Sequence, residues 1–123
     1  MNMKILVTGS TQGIGRAIAA AFARQGGEVI VHCSKDLSKA ERVCAEIGAA
    51  FAVTADLSDM DEVRGLYQKT GAVDCLILNA SVQYKQHWQE ITEEAIDRQL
   101  SVNIKSTLLL MQAYYPGMKE KGF

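Results

Sequence analysis

Short apolar runs alternate with helical patterns from the first residues of this chain, and this alternation limits the possible fold more than any other feature. Lys4–Thr8 is an apolar run followed by a glycine, which is typical of a buried parallel strand. Apolar residues then recur at helical spacing until Gly26 and Gly27 stop the helix. The same order repeats three more times. Such alternation requires crossover connections and predicts a parallel sheet covered by helices on both faces.

The predicted elements form one α/β unit with a Rossmann-like, doubly wound parallel sheet and three αβα layers. The second and third helices are expected to begin at the capping residues Ser38 and Ser58, each followed three residues later by an acidic residue. A long loop, Asn79–Ile91, is expected to be anchored on the domain by Trp88. The predicted strands are Lys4–Thr8, Glu28–Cys33, Phe51–Thr54 and Asp74–Leu78.

Length and charge exclude several classes of protein. The 123 residues are enough for one domain and too few for two of ordinary size. Lysine and arginine number 13 against 14 aspartate and glutamate, so there is no basic stripe for nucleic acid. The apolar runs fall far short of the roughly 20 residues of a membrane span, and the N-terminus lacks the pattern of a secretory leader. We therefore expect a cytoplasmic protein.

The cysteines and histidines do not follow a metal-binding pattern. Cys33, Cys44 and Cys75 are far apart and odd in number, which predicts reduced thiols rather than a disulfide framework or a zinc site. His32 and His87 have no carboxylate or thiolate at ligand spacing. We expect no metal site.

A glycine-rich turn, Thr8–Gly15, carries the clearest chemical signal. It lies between a predicted strand and a predicted helix, with glycines at positions 9, 13 and 15. In that position glycines allow a tight turn and let the backbone approach a pyrophosphate, while the helix N-terminus favours the anion. The alternative is a glycine-rich turn without a ligand, but the strand before it and the helix after it favour dinucleotide binding.

The spacing of this turn, Gly-x-x-x-Gly-x-Gly preceded by Thr8, resembles that of the short-chain dehydrogenase/reductase family. Three further segments agree with the family in order. Asp56-Leu57 resembles its adenine-contacting acidic position, Leu78–Ser81 is similar to its Asn-Asn-Ala-Gly signature, and Val102-Asn103 is similar to its catalytic asparagine segment. Leu78 and Ser81 depart from the signature, which affects the loop geometry beside the nicotinamide.

The resemblance implies a role for each matching position. Asp56 would accept a hydrogen bond from the adenine amino group, beside a backbone contact from Leu57. Asn79, with Ala80, would hold the loop near the cofactor ribose, and Asn103 would kink the last helix and position a water in a proton relay. The alternatives are a capping carboxylate for Asp56 and a helix asparagine bonded to its own backbone for Asn103. The pyrophosphate would lie against Gly9, Ser10, Thr11, Gly13, Ile14 and Gly15.

The end of the second predicted strand bears on the choice of cofactor. A carboxylate there would bond the ribose 2′-hydroxyl of NAD and repel a 2′-phosphate. The position carries Cys33, followed by Ser34 and Lys35, which favours NADP(H). Asp36 stands about 20 residues beyond the glycine turn, where NAD-binding proteins carry their acid. Gln12 also replaces a basic residue that many NADP-using relatives carry. NAD(H) therefore remains possible.

The last predicted helix runs from Thr92 to about Tyr115, where Pro116 and Gly117 are expected to end it. Relatives carry a Tyr-x-x-x-Lys pair after a fifth strand, in which the lysine lowers the pKa of the tyrosine. Tyr115 and Lys119 match that spacing, but they precede any fifth strand, and the expected helix break would turn them apart. We interpret this match as accidental.

The resemblance thus covers residues 1–123 as the dinucleotide-binding half of one domain, truncated after the fourth strand and its following helix. It implies hydride transfer between a nicotinamide cofactor and a small carbonyl or alcohol substrate, and a homo-oligomer formed through the last helix. The alternatives are a non-catalytic dinucleotide-binding module and a truncated remnant. An unpaired fourth strand would leave an edge that promotes self-association, and we expect the chain alone to be unstable or to associate.

Overall fold

The computed structural model describes residues 1–122, and Phe123, the last residue of the predicted domain, lies outside the described residues. Strands and helices alternate as the sequence predicts. A 3-10 turn at Trp88–Glu90 interrupts the loop after the fourth strand, and a π turn at Ser101–Lys105 separates the last two helices. The elements are β1 (Lys4–Val7), α1 (Gly13–Arg24), β2 (Glu28–Cys33), α2 (Leu37–Ile47), β3 (Phe51–Thr54), α3 (Met60–Thr70), β4 (Cys75–Ile77), α4 (Glu93–Leu100) and α5 (Ser106–Lys121).

The four strands form one parallel sheet in the order β3-β2-β1-β4. The chain builds outward from β1 through β2 to β3 and then crosses to the other side of β1 to add β4. This reversal is a topological switch point, and it opens a crevice beyond the carboxyl ends of β1 and β4. The predicted doubly wound, Rossmann-like sheet is confirmed.

Alternating residues of the sheet serve two separate layers of helices. Leu6 and Ile30 face one side, where they join a buried cluster that includes Leu66 of α3 and Leu110 of α5. Ile5 and its neighbours on the other side pack against α1 and α2. Both faces of each central strand are therefore buried, as the continuous apolar runs predict. Within residues 1–122 no helix is both long and apolar enough to cross a membrane.

Two helix caps and one loop anchor differ from the prediction. The cap of α2 is Asp36 rather than Ser38, and the cap of α3 is Asp59 rather than Ser58, because the carboxylates reach the first free amides of each helix. Serine and aspartate are both good caps, so the sequence offered two candidates at each helix. Trp88 does not anchor its loop. Its side chain is 75% exposed and stacks beside His87, with ring centroids 6.1 Å apart.

The helix that was predicted to end at Tyr115 continues to Lys121. Pro116 is exposed, and Gly117, the next residue of the helix, is half-buried. The helix continues because Tyr114, two residues before the proline, is fully buried, and its hydroxyl lies 2.6 Å from Thr70 Oγ1. Its ring also packs edge-on against Tyr67, with ring centroids 5.1 Å apart. This packing on α3 offsets the hydrogen bond that proline removes.

Replacing Pro116 by alanine should therefore stabilise the protein. Alanine restores a backbone donor and removes the ring from the helix interior, which predicts about 1–3 kcal/mol more unfolding free energy. Chemical denaturation followed by circular dichroism measures the change. Gly117→Ala is the comparison, because its new Cβ would lie 3.3 Å from Ala72 Cβ and its gain should be smaller. A Pro116→Ala protein no more stable than the parent would contradict a helix that continues through this residue.

Candidate functional site

A cleft of about 510 Å³ opens at the carboxyl ends of β1, β2 and β4, where the switch point places it. Segments that are far apart in sequence meet along its wall, and they are the segments singled out above. The predicted residues that line it are Gly9, Thr11, Gly13, Ile14, Gly15, Ser34, Asp56, Leu57, Asn79 and Ala80.

The N-terminus of α1 faces this cleft without a side-chain cap. Its N-cap residue, Gln12, makes no capping hydrogen bond, and the first turn carries no acidic residue. By contrast, Asp36, Asp59 and Thr92 cap α2, α3 and α4. The first amides of a helix have no intrahelical partner and carry a partial positive charge. Those of α1 are therefore available to an anion in the cleft.

Glycine is required at two positions for the close packing of this region. A Cβ on Gly15 would collide with the carbonyl oxygen of Gly9 and with the side-chain nitrogen of Asn79. A Cβ on Gly9 would lie 2.9 Å from the Cα of Ala80, and the φ of Gly9 is +62°. The start of α1 therefore approaches the β1 turn and the β4 loop more closely than any other residue type allows.

Hydrogen bonds fix the β4 loop against the β1 turn. The hydroxyl oxygen of Thr8 accepts from the backbone N–H groups of Asn79 and Ala80, both at 3.0 Å. The Asn79 side chain donates in turn to the carbonyl oxygens of Thr8 and Gly9, at 3.2 and 3.1 Å. Asn79 thus holds the two loops together and also lines the cleft. The position of this loop near a cofactor ribose stays a prediction.

His32 is a part of the site that the sequence analysis did not identify. It lines the cleft from β2, yet its side chain is 2% exposed. Its Nδ1 accepts from the N–H of Gly9 at 2.9 Å, and its Nε2 lies 3.0 Å from the carbonyl oxygen of Ala55. Burial lowers the pKa of His32, the bond to Ala55 opposes that change, and the charge of Lys69 adds to it. A histidine inside an apolar strand, directly before the cofactor-selecting position, was the available signal.

Asp56 occupies the end of the cleft beyond β3. Its Oδ1 accepts from the hydroxyl of Ser58 at 2.6 Å and from the Ser58 N–H at 3.0 Å. The hydroxyl bond is the main cause that lowers the pKa of Asp56, with smaller contributions from the charges of Arg98 and Lys35. Arg98 reaches the same cluster from α4, donating to the Ser58 hydroxyl at 2.9 Å. Asp56 is therefore an ionised hydrogen-bond acceptor in the cleft wall.

The opposite wall, after β2, carries a lysine that the sequence analysis did not select. Lys39 lines the cleft and donates to the side-chain oxygen of Gln12 at 3.2 Å, across the mouth. Asp36 also lines the cleft, but its Oδ1 accepts from the N–H of Lys39 as the cap of α2. Lys35 lies outside the lining residues, near Asp56.

Two further predicted site residues do not line the cleft. Ser10 is fully buried, and its hydroxyl accepts from the N–H of His32 at 2.9 Å. Asn103 lies in the π turn that separates α4 from α5. Its side chain makes two hydrogen bonds with the backbone of Val82, at 2.9 and 2.8 Å. Asn103 thereby ties α4 and α5 to the β4 loop, and its carbonyl oxygen receives a 3.4 Å bond from Thr107.

Tyr115 and Lys119 line a different cavity. This groove of about 810 Å³ runs along the outer edge of β4, between Leu76, Leu78 and one side of α5. The continuous helix does place the tyrosine and the lysine on one side of α5, so the expected helix break is wrong. Among the described residues, the groove and the cleft share no lining residue.

Residues 3–123 match the family described as short chain dehydrogenase. The chain belongs to the short-chain dehydrogenase family. A sepiapterin reductase of Chlorobaculum tepidum is 36% identical to it, over 95% of this chain and 54% of the reductase. A sorbitol dehydrogenase of Cereibacter sphaeroides is 39% identical, over 88% of this chain and 44% of the dehydrogenase. The chain thus spans about half the length of the curated relatives it matches.

Solved structures agree with this placement. A 3-oxoacyl (acyl-carrier-protein) reductase of Agrobacterium tumefaciens with NADP bound superposes with a TM-score of 0.87 at 33% identity. The match covers 96% of this chain and 48% of that reductase. A metagenomic short-chain oxidoreductase in complex with NADP gives a TM-score of 0.83 at 30% identity, over 94% of this chain and 56% of the oxidoreductase.

Gly15→Ala should disrupt the cleft. The added methyl group has no space between Gly9 and Asn79, which predicts a loss of more than about 2 kcal/mol of unfolding free energy. Gly65→Ala is the matched control in α3. A Cβ there meets nothing within 4 Å, so alanine should stabilise by about 0.5–1 kcal/mol. Equal effects of the two changes in urea denaturation would contradict the close approach at Gly15.

Mild acid should destabilise the fold through His32. Above pH 6.5 the imidazole is neutral in both states, so it contributes no pH dependence. Below that pH the imidazole of the unfolded chain binds a proton, whereas burial disfavours protonation of the ring in the folded protein. The unfolding free energy therefore decreases as the pH is lowered. Denaturation between pH 7.5 and 5 measures this slope. His32→Asn should reduce it, whereas His87→Gln, at an exposed position, should preserve it; an unchanged slope in His32→Asn would contradict the account.

Proposed function

We propose that this chain is the cofactor-binding half of an NADP(H)-dependent oxidoreductase that acts on a small carbonyl or alcohol substrate. The proposal rests on the N-terminus of α1, which faces the cleft and has no side-chain cap. In the same wall, Gly9 and Gly15 have no space for a Cβ. That arrangement fits a diphosphate, because free amides and the helix dipole favour an anion that can approach closely. When bound, the nicotinamide cofactor supplies or accepts the hydride.

We assign the two ends of the dinucleotide from the polar groups of the cleft. The amides of Gly13, Ile14 and Gly15 bind the diphosphate. Asp56 accepts from the adenine amino group, and Leu57 contacts the ring through its backbone. Asn79 and Ala80 border the nicotinamide ribose.

The end of β2 supports NADP(H) over NAD(H). Ser34 offers a hydroxyl, and Lys39 offers a charge on the cleft wall, with Lys35 close by. The carboxylate of Asp36, which could select NAD, is hydrogen-bonded to the first turn of α2. Solved relatives that carry NADP favour the same cofactor.

Asn103 is proposed as the residue of this half that acts in catalysis. The π turn around it is the kind of helix irregularity that is frequent at functional sites. Because its side chain is hydrogen-bonded to Val82, its backbone carbonyl is the group we assign to holding a water of the proton relay. The tyrosine and lysine of the family's acid–base pair are not assigned to Tyr115 and Lys119, which line the groove beside β4.

Calorimetric titration with NADP⁺ and NAD⁺ tests the cofactor directly. The protein should bind NADP⁺ more tightly than NAD⁺. Lys39→Met should lower the affinity for NADP⁺ about tenfold and change the affinity for NAD⁺ little, because one charge-assisted hydrogen bond to a phosphate is removed. Lys35→Met is the matched control, with the same change outside the cleft wall, and should have the smaller effect. Tighter binding of NAD⁺ would overturn the preference, and cofactor binding without hydride transfer to any carbonyl would favour a non-catalytic module.

We further propose that copies of the chain associate through the last two helices. Six large apolar side chains recur at spacings of three or four residues and are 46–59% exposed, which makes a continuous apolar stripe along one side. The free edge of β4 lies beside part of it. The stripe consists of Ile96, Leu100, Ile104, Leu108, Met111 and Tyr115.

Leu108→Lys should weaken this association. A charge in the middle of the stripe would have to be desolvated in any interface formed there. Sedimentation velocity should show larger species for the parent protein and a shift toward monomer for the variant. Glu120→Lys introduces the same residue at an exposed position of the same helix and should leave the distribution unchanged. A parent protein that sediments as a stable monomer would contradict the proposal.

A further inference from the structure

The His32 side chain connects two segments that have separate tasks in the proposed site. Its Nδ1 accepts from Gly9, the first glycine of the turn assigned to the diphosphate, at 2.9 Å. Its Nε2 lies 3.0 Å from the carbonyl oxygen of Ala55, the residue directly before the adenine-contacting pair. One imidazole ring therefore spans the distance between the diphosphate end and the adenine end of the cleft.

The backbone of His32 strengthens the connection to the glycine turn. Its N–H donates to the hydroxyl of Ser10, and its carbonyl oxygen accepts from the N–H of Ser10, both at 2.9 Å. The ring is also 2% exposed, so it has no freedom to move into solvent. The turn is thus held by β2 through three hydrogen bonds, of which the ring supplies the one that bears on Gly9.

Both ring contacts can be hydrogen bonds only in one form of the imidazole. Nδ1 must be unprotonated to accept from Gly9, and Nε2 must carry the proton to donate to Ala55. The groups that meet the ring from the β1 turn and the end of β3 are uncharged. Lys69 of α3, whose Nζ donates to the Thr54 carbonyl at 2.6 Å, adds a positive charge nearby. This surrounding favours the neutral ring, which is the form that bridges.

We propose that His32 is a positioning residue that sets the spacing between the diphosphate-binding turn and the adenine-binding segment. The inference rests on the proposed function. A dinucleotide must engage both ends of the cleft at once, so its affinity depends on their relative placement. A fragment that occupies one end does not depend on that placement. The role is therefore visible as a difference between the whole cofactor and its parts.

Two substitutions each remove one end of the bridge. The shorter side chain of His32→Asn can still accept from the Gly9 N–H but does not reach the Ala55 carbonyl. The longer side chain of His32→Gln can still donate to the Ala55 carbonyl but lacks the ring nitrogen that accepts from Gly9. Calorimetry would measure the affinity of the parent and of both variants for NADP⁺, adenosine 2′-monophosphate and inorganic pyrophosphate. We expect each variant to bind NADP⁺ about tenfold more weakly and each fragment less than about twofold more weakly.

The outcomes separate this inference from the proposed function. Unchanged NADP⁺ affinity in the variants would overturn the positioning role, and equal losses on NADP⁺ and on both fragments would reduce His32 to a structural residue. Failure of the parent to bind NADP⁺ would contradict the proposed function itself.

If one variant does not fold, the binding data of the other variant decide. Circular dichroism and urea denaturation identify that case, and Ser10→Ala, which removes a bond to the His32 backbone only, controls for general loosening of the turn.

Discussion

The contact between Asn79 and the β1 turn is the interaction on which the rest of the cleft depends. The Asn79 amide binds the carbonyl oxygens of Thr8 and Gly9, and the backbone of the same loop binds the Thr8 hydroxyl. Gly15 must lack a side chain for this contact to form, because α1 begins directly behind it. The sheet order supplies the opportunity, since β1 and β4 are neighbours and their carboxyl ends meet. A glycine turn without a neighbouring β4 loop would expose the same amide groups but would not form a cleft.

The fold and the cleft wall were predictable because they follow from features that are local in sequence. Apolar runs and glycines predicted every strand and the glycine turn after β1, and the ends of parallel strands converge whatever residues they carry. The side-chain details were less accessible. Asp36 and Ser38 are both good caps, and only the bound amide of Lys39 decides between them. That choice sets the first residue of α2 at Leu37.

Long-range packing explains the remaining differences. Pro116 predicts a helix end, but the burial of Tyr114 against Tyr67 and Thr70 keeps the helix intact beyond it. His32 looked like one polar residue in an apolar strand, and its two partners are 23 residues away in sequence on either side. No pattern along the chain shows that such a residue bridges two loops. These contacts become visible only when β1, β2 and β3 are placed side by side.

The molecule has a cleft at one end of the sheet and an apolar edge along β4 and α5. The proposed function requires that a dinucleotide bind in the cleft. Amide chemical shifts of the ¹⁵N-labelled protein, recorded during addition of NADP⁺, test this most directly. We predict that the changes centre on Gly9, Gly13, Gly15, Asp56 and Leu57. Shifts confined to the β4 edge around Leu76 and Tyr115, or none at saturating NADP⁺, would contradict it.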